Sequence, residues 1–499
     1  MIGPADQRRC WALRWARRDD AIALIVGDRE ISYRALGRGI ERTAAGLLSR
    51  GIRRGDRIAV LVKAGRGFVE ILHAAQRIGA TLVPLNLRLT SNELAAQVER
   101  IRPTLLVVDP EREEAGRSSC AGAEAPRLCL ADRLAPPPGA HGPLPPDRVD
   151  PSAAHSILFT SGTSGAPRAV ALTHANLAAS TAAAQRALGT EAHSRWLATM
   201  PLFHVGGLAI LVRAAILGTA VVLHDGFDED AVRRDLLRHR VTGLSVVPTM
   251  LARLLDRLDG SEDLDHLRCV LVGGAPLPVE LARRARAAGL PIAPTYGMTE
   301  TASQVATASP GAPLAGRGFV GRPLPGIEIR IDAPNHEGRG EILVRGPQIA
   351  RDLDPGPRTA GRTTGGWLRT GDLGRIDAQQ NLYVEDRLHD LIITGGENVY
   401  PSEVEQVILA HPAVRDVGVV GAPDSEWGER VEAHVVVEPG ASFDPDALGR
   451  WVRARLAAYK TPRIWHLARH LPRTPAGKLR RGILRRGDRH AAAGAFRSG

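Results

Sequence analysis

Ile157-Leu158-Phe159-Thr160-Ser161-Gly162-Thr163-Ser164-Gly165-Ala166-Pro167-Arg168 sets an apolar run against a loop of hydroxyl residues and glycines, and a basic residue follows. The apolar run reads as a strand. Glycine lets backbone approach an anion closely and adopt positive φ. Successive N–H groups and hydroxyls can then wrap phosphate oxygens. The loop is thus a phosphate cradle by its chemistry. Its spacing is not that of the nucleotide loop G-x-x-x-x-G-K-[ST]. It also lacks the G-x-S-x-G elbow, which makes Ser161 and Ser164 poor hydrolase nucleophiles.

The flanking sequence alternates strand-like and helix-like pieces. Arg57 to Val62 and Thr81 to Leu85 read as strands, with an amphipathic helix over Gly67 to Ile78 between them. Ser91 or Asn92 then caps a helix that holds Leu94, Val98 and Ile101 on one face. This βαβ rhythm predicts a parallel sheet with helices on its faces. The proline-rich stretch inside 111–150 reads as a surface loop. Beyond the cradle the α/β pattern is expected to resume through 345, with strands at Leu244 to Pro248 and Cys269 to Gly274. From 388 the units shorten. Strands over Val414 to Val420 and Val431 to Val437, with helices over Ser402 to Leu409 and Pro445 to Leu456, predict a small α+β domain. The expected division is 1–387, 388–489 and a frayed tail over 490–499.

A chain of 499 residues, 44% hydrophobic and 24% charged, has ample length for more than one domain and a large core. Its net charge of +11 is scattered, apart from a cluster from Arg473 to Arg489 that a solvated helix or tail explains as well as an anionic partner does. Aromatic residues are only 4%, too few for the stacking platforms of single-strand nucleic-acid binding. Cys10, Cys120, Cys129 and Cys269 show no C-x-x-C spacing, which fits a reduced, cytoplasmic setting without structural zinc or disulfides. The arginine-crowded start lacks a signal-peptide core. The apolar stretch Trp196 to Val212 is interrupted by Pro201, His204, Gly206 and Gly207, so no integral membrane segment is expected.

The cradle has companions in a fixed order. They are Pro201-Leu202-Phe203-His204, Gly273-Gly274-Ala275-Pro276 and Thr295-Tyr296-Gly297-Met298-Thr299-Glu300, then Trp367-Leu368-Arg369-Thr370-Gly371-Asp372 and Asp386-Arg387. Gly395-Gly396-Glu397-Asn398-Val399-Tyr400-Pro401 and Pro475-Ala476-Gly477-Lys478 complete the series. This ordered set, over roughly 20–487, resembles the AMP-forming adenylate superfamily of acyl-CoA synthetases, adenylation domains and luciferases. The resemblance implies an α/β fold with a large multi-sheet N-terminal domain and a small mobile α+β C-terminal domain. It implies two half-reactions: a carboxylate attacks the α-phosphorus of ATP to give an acyl-adenylate and pyrophosphate, and a thiol then displaces AMP.

The resemblance also assigns roles. Thr160, Ser161, Gly162, Thr163, Ser164 and Gly165 would hold the β- and γ-phosphates, with Arg168 where the family usually carries lysine and Ala169 where it carries glycine. Thr299 would contact the α-phosphate, and Glu300 would ligate Mg²⁺, a hard cation that prefers oxygen. Gly274, Ala275 and Pro276 would wall the adenine, with Tyr296 stacking and Gly297 beside it. Asp372 would accept the ribose hydroxyls, as an acceptor-only group can, and Arg387 would add a donor. Lys478 would bridge the substrate carboxylate and the α-phosphate, a task suited to a compact, flexible ammonium. His389 occupies the hinge position, where aspartate or lysine is usual. Gly395, Gly396 and Glu397 would line the thiol tunnel after the small domain swings.

The run from Pro201 to Leu208, with Tyr296 to Gln304, is similar to the o-succinylbenzoate–CoA ligases of menaquinone synthesis. Such a substrate carries a second carboxylate that is bound but not activated, and it needs a polar or cationic partner in an apolar pocket. Arg213 inside Leu208 to Leu217 is one candidate, against the reading that it snorkels to the surface. Ser303 and Gln304 could supply neutral hydrogen bonds instead, or be ordinary helix-start polarity. His204 would shape the pocket, because an ionised carboxylate needs no base. ATP, Mg²⁺ and CoA are the implied co-reactants, and nucleic acid is not an expected partner. A homo-oligomer, a ligase for another aromatic or medium-chain acid, an adenylation enzyme that loads a carrier protein, and a non-catalytic acyl-AMP binder stay open at this level.

Overall fold

The computed structural model describes residues 9–16, 21–120, 126–136, 144–145, 147–160, 168–352, 365–387, 390–394, 397–424, 427–456, 458–474, 477–485 and 492–497. Among these residues the strands form three sheets. The first has seven strands, ordered Arg351–Asp352, Arg168–Thr173, Ala154–Thr160, Thr81–Pro84, Arg57–Leu61, Leu105–Val108 and Arg127–Leu130. Its centre is parallel, and its residues alternate between two cores. Ile58, Val60, Leu105 and Val107 face the helices Tyr33–Ser49 and Arg66–Ile78. Ala59, Leu61, Leu106 and Val108 face the helix Ser91–Ile101 through Leu94, Val98 and Ile101. A sheet covered on both faces makes its strands continuous apolar runs, as read.

Three local expectations change. The helix over 91–101 is capped by Thr90, not by Ser91 or Asn92. Glu93 sits three residues on, accepts the Thr90 N–H at 2.8 Å and completes a capping box that neither neighbour could form. The 111–150 stretch is more than a loop: a helix over Glu113–Ser118 leads to an edge strand over Arg127–Leu130, parallel to Leu105–Val108. Gly116 lets that helix sit close, since a Cβ there would lie 2.8 Å from Val108 Cγ1. At the chain's end, Ala492–Arg497 pairs antiparallel with Ile464–Ala468 rather than fraying, because that strand's open edge offers a row of backbone donors and acceptors.

The second sheet is a path of thirteen strands. Ile22–Val26, Ala220–Leu223, Arg195–Ala198, Gly243–Val246, Cys269–Val272 and Ile292–Met298 are mutually parallel neighbours. The α/β pattern stops there and does not run to 345. Ser303–Thr307, Phe319–Pro323, Leu382–Arg387, Leu368–Ile376, Gly340–Arg345 and Glu328–Asp332 continue the path in antiparallel pairs. The reversal requires a very tight turn at Thr299–Thr301. Ala302 and Ser303 follow at φ 50° and 102°, a region non-glycine residues rarely occupy. Thr301 Oγ1 accepts the Met298 N–H at 3.1 Å and lies 2.9 Å from the Ser303 carbonyl oxygen, while Ser180 Oγ donates to the Ala302 carbonyl at 2.7 Å.

At the other end of the chain, Trp11 stacks on His155 at 5.3 Å and meets His174 edge-on at 5.5 Å, and all three are buried. The helix Val205–Leu217 is the most apolar one, but no described helix is long and apolar enough to cross a membrane.

The third sheet builds the small domain. Val414–Asp424 pairs antiparallel with Gly428–Val437, which runs parallel to Ile464–Ala468. The helices Pro401–Leu409 and Pro445–Arg453 cover one face around fully buried Trp465. On the other face, Val420, Leu471 and Leu484 form a smaller cluster with Leu479 against it. Arg481 ties this layer together, reaching Glu405 at 2.8 Å and Asp390 at 3.3 Å. Burial pushes its pKa down, and Glu405, Asp386 and Asp390 push it further up, so the charge is retained.

Two substitutions test this scaffold. A Cβ at Gly297 would lie 1.8 Å from the Ser303 carbonyl oxygen. Gly297→Ala is therefore expected to shift the Thr299–Glu300 turn and abolish ATP binding, measured by titration calorimetry, with secondary structure retained by circular dichroism. Arg481→Ala leaves the Glu405 carboxylate without its cation and Asp390 with Arg485 alone. It should lower small-domain stability by about 3–5 kcal/mol, read from hydrogen exchange in the Val414–Asp424 strand.

Candidate active site

The strands that flank the cradle, Ala154–Thr160 and Arg168–Thr173, pair antiparallel. Thr160 and Arg168 are opposed residues at its mouth, and Ser161, Gly162, Thr163, Ser164 and Gly165 lie outside the described residues. The Thr299–Thr301 turn packs against the Arg168–Thr173 strand. It is held there by the Ala350 N–H, which donates to the Glu300 carbonyl at 2.7 Å. Thr299 and Glu300 thus sit at the root of the cradle, both half-buried. No protein group pairs with the Glu300 carboxylate among the described residues, so an oxygen ligand is available to a hard cation held by phosphates.

Gly274, which the resemblance assigns to an adenine wall, turns at φ +81° after the Cys269–Val272 strand. Ala275 and Pro276 continue this wall, half-buried and exposed respectively. The Tyr296 hydroxyl donates to Asp372 Oδ2 at 2.6 Å. Asp372 is buried, its own N–H bonded to Thr370 Oγ1 at 3.1 Å. It stands opposite Arg387 in the ladder, where only the backbone of Arg387 is described. The resemblance assigns Tyr296 to the adenine and Asp372 to the ribose hydroxyls; the fold brings the two side chains into contact.

Lys478 closes a small turn. The Thr474 N–H donates to the Lys478 carbonyl at 2.7 Å, and Arg473 clamps the turn by bonding the Gly477 carbonyl at 2.9 Å and Asp416 at 2.6 Å. Gly477 lies over the start of the helix Pro248–Leu255, where a Cβ would meet Thr249 Oγ1 at 3.5 Å and Val247 at 3.8 Å. A Cβ at Gly274 would lie 3.2 Å from the same Val247. The Val247 side chain therefore lies between Gly274 and the lysine turn, although more than two hundred residues separate Gly274 and Lys478 in sequence.

The acyl candidates converge more tightly. Arg213 does not snorkel: it is 6% exposed, with its guanidinium carbon 4.6 Å above the Trp196 ring and Nη1 donating to Gln304 Oε1 at 3.2 Å. Gln304 Nε2 in turn donates to Thr307 Oγ1 at 2.9 Å. Ser303, Ser180 and Thr181 line the same cavity between the helices His174–Leu188 and Val205–Leu217. Burial pushes the Arg213 pKa down to about 10, which leaves it charged at neutral pH. Among the described residues no carboxylate pairs with it. The sequence reading missed Trp196, whose place at the start of an apolar strand reads as ordinary core, and Ser180 and Thr181, an adjacent pair of hydroxyls in an alanine-rich helix.

His204 precedes the Val205–Leu217 helix, and its pKa is pushed down to about 4 by burial and then by the charges of Lys478 and Arg88. It is neutral at working pH and close enough to Lys478 to feel that charge. At Glu397 only the backbone is described, in a hairpin with Ile392–Thr394. Gly395, Gly396 and His389 lie outside the described residues. Asp390, next to the expected hinge, is pinned by Arg481 and by Arg485 at 3.2 Å.

Known proteins share this architecture. Residues 11–352 match the model of the AMP-binding enzyme family, and 403–478 match that of the AMP-binding enzyme C-terminal domain. The 2-succinylbenzoate–CoA ligase of Bacillus licheniformis is 37% identical, with 93% of this chain and 96% of that protein covered. That of Geobacillus kaustophilus is 38% identical, over 94% and 95%. The o-succinylbenzoate CoA synthetase of Bacillus subtilis, solved with its acyl-adenylate intermediate, superposes with a TM-score of 0.90 at 34% identity, over 97% of this chain and 99% of that one. Matches of this extent at both domains leave one conclusion: the chain belongs to the AMP-binding enzyme family.

Proposed function

We propose that this protein is an ATP-dependent acid–CoA ligase that works through an acyl-adenylate, and that its acid is o-succinylbenzoate. The observation that carries the choice of acid is Arg213. An unpaired buried cation costs several kcal/mol. Stacking on Trp196 and one bond to Gln304 return about 1–3 kcal/mol each. A substrate carboxylate entering the cavity would supply the missing counter-charge, and a monocarboxylic acid would not. The full-length relatives that carry this substrate in their names support the same reading.

In the first half-reaction a carboxylate oxygen of the acid attacks the α-phosphorus of ATP, and the bond to the bridging oxygen of pyrophosphate breaks. Negative charge crowds the site, so positioning and charge stabilisation carry the catalysis. The Thr160–Arg168 hairpin holds the leaving phosphates, Thr299 contacts the α-phosphate, and Lys478 bridges it to the incoming carboxylate. Glu300 would hold Mg²⁺, which neutralises phosphate charge when bound. Asp372 takes the ribose hydroxyls, with Tyr296 fixing the carboxylate, and Gly274, Ala275 and Pro276 bound the adenine. Neutral His204 sits beside Lys478 without competing for the carboxylate. In the second half-reaction the CoA thiolate attacks the acyl carbonyl and AMP leaves. Gly395, Gly396 and Glu397 would line the thiol path.

Lys478→Ala should slow acyl-adenylate formation about 10²–10³-fold, measured as pyrophosphate release, with thioester formation from supplied acyl-adenylate much less affected. Equal losses in both steps would remove Lys478 from its assigned role. Arg213→Ala should raise KM for o-succinylbenzoate by about 10²-fold or more and change KM by under about threefold for a keto acid of the same skeleton without the second carboxylate. Equal effects on both acids would overturn the choice of substrate, while pyrophosphate release with neither would overturn the ligase reading itself.

A further inference from the structure

Glu432, His434 and His466 lie on the second face of the small-domain sheet, and none of the three has a role in the reaction. Glu432 and His434 are two apart on Gly428–Val437 and so share a face. His434 is directly opposite His466 on the parallel neighbour Ile464–Ala468. One donor atom from each of the three residues lies within 4.8 Å of the other two. The imidazoles stack at 4.3 Å and 14°, and His466 Nε2 is 2.9 Å from Glu432 Oε2. Arg430 holds the other oxygen of Glu432 at 2.8 Å.

A plain histidine–carboxylate pair accounts for Glu432 and His466 but not for His434. Its Nε2 is buried without a hydrogen-bond partner, in a residue only 7% exposed. An orphaned buried polar atom calls for an explanation.

We propose that Glu432, His434 and His466 bind a divalent transition-metal ion of the zinc class, which braces the two strands. Two imidazoles and one carboxylate are a known donor set for such an ion, with one position left for water. Two nitrogen donors disfavour the oxygen-seeking Mg²⁺ and Ca²⁺. Binding replaces the hydrogen bond between His466 and Glu432. The proton that His466 Nε2 shares with Glu432 leaves that atom by way of solvent, the neutral ring then carries its hydrogen on Nδ1, and a small rotation of the stacked rings brings the donors to bonding distance. Arg430 remains on the second Glu432 oxygen and orients the carboxylate from outside the coordination sphere. Through His434 the site adjoins Gly418, against which Leu479, the residue after Lys478, packs.

The test is titration of the full chain with Zn²⁺, and separately with Co²⁺ as a coloured reporter. His434→Phe, which keeps a ring in the stack, and Glu432→Gln serve as variants, each checked for fold by circular dichroism. The native chain is expected to bind one Zn²⁺ with a raised Tm and to give the visible spectrum of four-coordinate Co²⁺. Each variant should bind at least about tenfold more weakly and lose that spectrum. Equal binding by native chain and variants would assign the ion to other histidines and overturn the proposal, as would no binding by the native chain. If His434→Phe does not fold, Glu432→Gln alone decides by the same readouts.

Discussion

The structure turns on a single close approach. Gly297 passes the Ser303 carbonyl so tightly that no side chain fits between them. That contact lets the large sheet change from parallel to antiparallel within one short turn. The parallel half delivers strand ends, and hence Gly274 and Tyr296, to one edge of the site. The antiparallel half returns Asp372 to meet Tyr296 from the other direction. Ala302 and Ser303 take up the backbone strain, which costs on the order of 1–3 kcal/mol each. Buried hydrogen bonds from Thr301 and Ser180 hold them in place. Thr299 and Glu300, proposed above for the nucleotide, and Ser303 and Gln304, proposed for the acid, lie within six residues of one another around this turn.

Arg213 shows what the apolar surroundings contribute. In a helix whose neighbours are Leu211, Val212, Ala214 and Ala215, all buried, solvent cannot compensate the guanidinium. Its interaction with an incoming anion is correspondingly strong, because the local dielectric is low. Trp196 and Gln304 orient the group and leave its charge unneutralised. This arrangement suits recognition better than stability, since a hydrophobic residue in the same place would stabilise the fold at least as well.

Much of this was legible in the sequence where chemistry forces residue type. The glycine and hydroxyl loop, the Tyr296–Glu300 run, Asp372 and the Lys478 turn all stand out locally, and the fold gathers the described ones around the Thr299–Thr301 turn and Val247. Arg213 was visible as a charge in an apolar run, but its direction was not, because snorkelling and burial look alike in one dimension. Trp196 was hidden among core residues. The capping role of Thr90 was ambiguous beside Ser91 and Asn92, and only Glu93 breaks the tie. The edge strands Arg127–Leu130 and Ala492–Arg497 are short, and their pairing depends on a neighbour's open edge, which no local pattern encodes. The antiparallel run after Ser303 was read as α/β because its strands alternate too weakly to reveal the missing helices.

The aromatic stack at Trp11 has a consequence for how the protein meets acid. Burial, the largest cause in each case, holds His73 and His174 down to about 4 and His155 well below its ordinary value. An unfolded histidine binds a proton near pH 6.5. The native chain therefore holds fewer protons than the unfolded one between that pH and about 4, and its stability falls as pH drops through this window. Above about pH 6.5 these groups are neutral in both states and the stack contributes in full. Opening of the packing around Trp11 is thus coupled to proton uptake by the histidines it covers in this window.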